Sequence, residues 1–115
     1  MPFRLRHRLR RTAEFNQVRT QGEKIVGTFF ILQLLKINSS DAPPKRLLGV
    51  VASRRVGNAV QRNRAKRLLR EVFRLTPQAL PDHCAVVLTA RSSILKASFE
   101  EVQREYSRKV ALISR

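Results

Sequence analysis

Ten consecutive residues, Thr28 to Ile37 (TFFILQLLKI), restrict this chain more than any other stretch. Read as a β-strand, they send Phe30, Leu32 and Leu34 to one side and Phe29, Ile31, Gln33 and Leu35 to the other. Both sides are mostly apolar, so neither suits water, and the strand must be central in its sheet. A short piece, Glu23 to Gly27, precedes it. The loop Asn38 to Pro44 (NSSDAPP) follows, turn formers ending in two prolines. Leu47 to Ser53 (LLGVVAS) and Ala85 to Ala90 (AVVLTA) read as two further strands.

Helices account for the rest. Thr12 is a suitable N-cap for a helix running to about Gln21, with Glu14 in its first turn and Gly22 as its stop; Phe15 and Val18 share one of its faces. After a turn at Val56-Gly57, Asn58 caps a long helix to about Leu75, ended by Thr76-Pro77. Ser98 and Glu101 have capping-box spacing, and Phe99, Val102, Tyr106, Val110 and Ile113 then form one apolar stripe. With no internal repeat and no domain boundary, the order α-β-β-β-α-β-α predicts one domain over 1–115 with helices against a mixed sheet. That is an α+β protein, a two-layer α/β sandwich.

Charge narrows the function. Against 8 acids stand 24 Lys and Arg, 18 of them Arg, for a net +16. Hydrophobic residues make up 43% of the chain, enough for a folded domain, so a large cationic surface awaits a polyanion, nucleic acid first. The first eleven residues hold Arg4, Arg6, Arg8, Arg10 and Arg11, no acid and no apolar face, which reads as a cationic arm on a cytoplasmic protein. No secretory signal is expected, and no apolar run approaches the roughly 20 residues of a membrane helix. The single Cys84 cannot form an internal disulfide, and His83 beside it supplies too few ligands for a metal site. No metal bound by the protein is expected.

Eight cations, Arg54, Arg55, Arg62, Arg64, Lys66, Arg67, Arg70 and Arg74, lie between positions 54 and 74 against one acid, Glu71. At about 100° per residue, Ala65, Leu68, Leu69, Val72 and Phe73 form the inward stripe. Lys66, Arg70, Asn63, Arg74, Arg67, Glu71 and Arg64 occupy the opposite arc; Arg62 falls toward the apolar side, in the first turn. Like charges at these spacings cost a few tenths of a kcal/mol per pair unless a partner neutralises them. A row of phosphates would, and guanidinium forks match phosphate oxygens.

The residues Val56 to Glu71 (VGNAVQRNRAKRLLRE) go further. With Arg54-Arg55 before them, Arg8-Leu9 through Phe15 upstream and Ala90-Arg91 after the last strand, they resemble, over the full length, the family of bacterial ribonuclease P protein components. The resemblance implies a protein that joins a large catalytic RNA to remove the 5′ leader of precursor tRNA. Hydrolysis would belong to the RNA and its Mg²⁺, with no cofactor in the protein, no membrane and no obligate protein partner. It assigns binding of the catalytic RNA to Arg62, Asn63 and Arg64, with Arg54, Arg55, Asn58, Arg67 and Arg74. It also implies a leader groove between the first helix and the open sheet face, with Phe15, Arg19, Phe29, Ile31 and Gln33 inside and Lys66 and Arg70 at the rim. A left-handed crossover through the basic helix, as in domain 2 of ribosomal protein S5, is implied as well. The family commonly has aromatics where Arg19 and Gln33 stand, so the groove is expected to hold the leader more by charge than by stacking.

The residues agree with an inert protein. Glu100–Arg104 and Glu105–Lys109 are i, i+4 pairs suited to surface salt links, not to holding two metals. A ribosomal or other structural RNA-binding protein is the alternative; a stand-alone nuclease lacks a metal site.

Overall fold

The computed structural model describes residues 12–37, 45–76, 80–81 and 83–113. The cationic arm over 1–11, the loop at 38–44 and Pro77 lie outside that range. The order is α1 (Thr12–Gln21), β1 (Glu23–Val26), β2 (Phe30–Lys36), β3 (Lys45–Val51), α2 (Ala59–Leu75), β4 (His83–Ala90) and α3 (Phe99–Ile113). A short 3-10 helix, Ser92–Lys96, was not anticipated between β4 and α3. Thr12 is the first residue of α1 rather than the one before it.

The sheet runs β1-β2-β4-β3. β2 is antiparallel to both neighbours and β3 is parallel to β4, so the sheet is mixed and β2 is interior, as its two apolar sides require. Parallel neighbours β3 and β4 are joined through α2. On one face Phe30, Leu32 and Leu34 of β2 join Leu48, Cys84, Val86 and Leu88. Against them pack Ala65, Leu69, Val72 and Phe73 of α2 and Val102, Tyr106, Val110 and Ile113 of α3. On the other face α1 sets Val18 and Phe15 against Ala85 and Val87. That second cluster is small, so part of this face stays open.

Local chemistry sets the helix ends. The Asn58 side chain accepts from the Gln61 N–H, and the Gln61 side chain accepts from the Asn58 N–H, both at 2.9 Å. Gly57 before it has φ +151°, and a Cβ there would lie 2.0 Å from Gln61 Oε1. At the end of α1 a Cβ on Gly22 would meet the Val18 and Leu34 carbonyl oxygens at 2.6 and 2.8 Å, so only glycine lets the chain pass from helix to β1. Ser98 and Glu101 close the expected box on α3, and the Ser98 amide holds the Glu101 carboxyl below its usual range.

Two expectations fail here. Glu105 is not in a surface salt link with Lys109; it is buried, and its carboxylate accepts the Thr28 and Phe29 N–H groups, each at 2.9 Å. Position 105 is three residues after Val102, so the inward stripe of α3 carries it into the core with Tyr106. Phe29 also departs from strand alternation. With its amide drawn to Glu105 it precedes β2, and its ring packs on the α2–α3 core instead of the α1 side.

Tyr106 is fully buried, and its hydroxyl has no hydrogen-bond partner among the described residues. Burial raises its pKa well above the ordinary value, so the phenol stays neutral. An unpaired buried hydroxyl costs about 1 kcal/mol or more. Tyr106→Phe should therefore raise the melting temperature by about 5 °C; a fall of that size would show a bond absent from this geometry.

Candidate nucleic-acid interface

α2 separates its two chemistries around its circumference. Ala65, Leu69, Val72 and Phe73 are buried, while Asn63, Arg64, Arg67 and Arg74 are exposed and Arg62, Lys66 and Arg70 are half-buried. Glu71, the one acid on the helix, accepts from the Arg74 guanidinium; that bond lowers the Glu71 pKa and raises that of Arg74. Arg74, expected on the RNA strip, is thus tied within its own helix. Among the described residues no carboxylate lies within ion-pair distance of Arg54, Arg55, Arg62, Arg64, Lys66 or Arg67. Six cations on one helix and the turn before it remain unneutralised, which is unfavourable for the isolated protein and favourable on a phosphate backbone.

Strand pairing extends this cationic region to one end of the sheet. Arg54 and Arg55 follow Val51 by three and four residues, in a turn where the Val56 N–H donates to the Ser53 carbonyl at 3.0 Å. Val51 pairs with Thr89, and Arg91 follows two residues later. Both sets of arginines therefore leave adjacent parallel strands at the same end.

The register also defines an open shelf on the α1 face. Val26 pairs with Ile31, Ile31 with Thr89, and Thr89 with Val51, so one row of side chains crosses all four strands. Val26 is 53% exposed, and Ile31, Thr89 and Val51 are half-buried. The next row, Lys24–Gln33–Val87–Gly49, contains the residues α1 covers, Gln33 and Val87. An apolar floor beside a helix with a cationic end suits a flexible single strand.

The predicted groove residues divide. Phe15, Arg19 and Ile31 belong to the α1 side, with Phe15 packed at its cluster and Arg19 exposed. Gln33 does not present itself to a ligand: it is buried, and its Nε2 donates to the Arg19 carbonyl at 3.2 Å, pinning the end of α1 to β2. Phe29 lies with the opposite core. Lys66 and Arg70 sit half-buried on α2, which packs on the face opposite α1. Val26, Val51 and Thr89 were missed, because only strand register could align them. Among the described residues no group of three or more His, Cys, Asp or Glu could hold a metal ion, and no helix is long and apolar enough to cross a membrane.

The family model described as Ribonuclease P matches residues 3–113. The chain is 33% identical over 103 residues to the ribonuclease P protein component of Acidothermus cellulolyticus, covering 90% of this chain and 84% of that one. With the component from Shouchella clausii it shares 39% over 97 residues, covering 84% and 76%. The Staphylococcus aureus RNase P protein has the same fold, with a TM-score of 0.75 at 23% identity over 95% of each chain. The Thermotoga maritima RNase P protein gives 0.74 at 22% identity, covering 97% of this chain and 96% of that one.

Proposed function

The chain belongs to the ribonuclease P protein family, and we propose that it is the RNA-binding subunit through which this tRNA-processing ribonuclease holds its catalytic RNA and the 5′ leader of precursor tRNA. The observation that carries this reading is the set of six cations, Arg54, Arg55, Arg62, Arg64, Lys66 and Arg67, that have no carboxylate partner among the described residues. On the cytoplasmic holoenzyme the exposed arc of α2 lies along the catalytic RNA, where guanidinium forks bridge phosphate oxygens. The leader lies on the shelf beside α1, over Ile31 and Thr89 and against Phe15 and Arg19. In this reading Mg²⁺ belongs to the RNA, and this chain's part is to bind and orient.

Purified protein, precursor tRNA and catalytic RNA at limiting Mg²⁺ test the reading. The expected result is no cleavage by protein alone and faster leader removal when the protein joins the RNA; cleavage by protein alone overturns it. In the same assay Phe15→Ala should raise KM for a leader-bearing substrate about tenfold, from the stacking lost. Its affinity for the catalytic RNA should not change; the reverse pattern would mean the two surfaces are exchanged.

A further inference from the structure

At the sheet end where Arg54 and Arg55 emerge, a second recess opens beneath the β1–β2 turn. Gly27 and Thr28 of that turn, Arg91, Ser92 and Ser93 after β4, and Lys109 of α3 line about 570 Å³. The lining has two cations, three hydroxyl residues and no carboxylate.

This electrostatic balance follows from the displaced role of Glu105. On an isolated helix Glu105 would neutralise Lys109 one turn on. Here the carboxylate is turned inward to the Thr28 and Phe29 amides. Lys109 is left with no carboxylate within ion-pair distance among the described residues. Arg91 is held in place: its Nη1 donates to the Gly27 carbonyl at 2.8 Å and its backbone N–H to the Phe29 carbonyl at 2.9 Å. The Ser93 hydroxyl donates to the Thr28 carbonyl. A fixed guanidinium, an uncompensated ammonium and the exposed Ser92 hydroxyl around one opening match a tetrahedral oxyanion.

We propose that this recess binds a phosphate group of RNA, separate from the phosphates held along α2. The inference rests on the reading of the chain as an RNA-binding subunit. The phosphate belongs either to the catalytic RNA or to the precursor tRNA, and binding to each is measured separately.

The test uses the full chain with Lys109→Glu, with Ser92→Asp, and with Lys96→Glu as a control. Lys96 is exposed on the 3-10 helix outside the recess and carries the same charge change as Lys109→Glu. Affinity is measured for the catalytic RNA, and for leader-bearing precursor tRNA by the assembled holoenzyme, from 50 to 200 mM salt. Lys109→Glu and Ser92→Asp should each weaken one of these about tenfold and flatten its salt dependence by about one phosphate contact. Lys96→Glu should stay within about twofold of the native protein, as expected where no phosphate is held. Loss on the catalytic RNA assigns the phosphate to it; loss only on precursor tRNA assigns it to the substrate. Both recess variants matching Lys96→Glu in both measurements overturns the proposal. Arg64→Ala with Arg67→Ala, run alongside, separates the failures: if that pair alone loses affinity, only the recess falls, and if it too is unaffected, the RNA-binding reading falls with it. Ser92 is exposed, so Ser92→Asp decides the matter should Lys109→Glu not fold.

Discussion

With Arg64 and Arg67 both replaced by alanine, the catalytic RNA should bind about a hundredfold more weakly at moderate salt. Each side chain is exposed and has no acidic partner among the described residues, so its charge is available to a phosphate. A charged hydrogen bond of this kind is worth about 1.5 kcal/mol or more, and two make a hundredfold change. Folding should be untouched, because neither side chain belongs to the buried stripe of Ala65, Leu69, Val72 and Phe73. Arg74→Ala should matter less, since its guanidinium is engaged with Glu71. Equilibrium binding with labelled catalytic RNA, beside a thermal melt of each variant, checks both statements. An undiminished affinity in the double variant would mean that α2 faces something else.

Glu105→Ala should have the largest effect on stability. It strips the acceptor from two amides, at Thr28 and Phe29, in a site only 2% exposed. Each orphaned donor costs about 1–3 kcal/mol, so the total is about 4 kcal/mol, a large share of the stability of a domain this size. The melting temperature should fall by about 20 °C, and Glu105→Gln, which keeps one acceptor, should lose about half as much. At low temperature the folded fraction should still bind the catalytic RNA through α2, because Glu105 makes no ion pair with the exposed arginines of that helix. A fall under about 3 °C would show that Arg91 and Ser93 hold the turn without the carboxylate.

The parts of this molecule that were legible beforehand are those written in local periodicity. α2 declares itself through the cap at Asn58, the stop at Thr76 and a clean division of apolar and basic residues, and the structure reproduces all three. β2 announces its interior place by being apolar on both sides. What was not legible depends on contacts distant in sequence. Strand alternation extended to Phe29 gives the wrong side, because a carboxylate 76 residues away bends the backbone before β2 begins. Gln33 looks like a polar residue on an open face until α1 is laid over it and takes its amide. Glu105 matched a salt-link spacing with Lys109, yet it equally matched the inward stripe through Val102, and tertiary packing decided between them. The shelf row of Val26, Ile31, Thr89 and Val51 exists only in the pairing register.

The salt dependence of binding to the catalytic RNA tests most directly whether the guanidinium strip of α2 rests on phosphates. The affinity of the native protein should drop roughly a hundredfold between 50 and 200 mM salt, as release of counterions from about five phosphates requires. For the Arg64 and Arg67 double variant the slope of log affinity against log salt should be shallower by about two. Parallel slopes for the two proteins, or a flat response from the native one, would contradict the account.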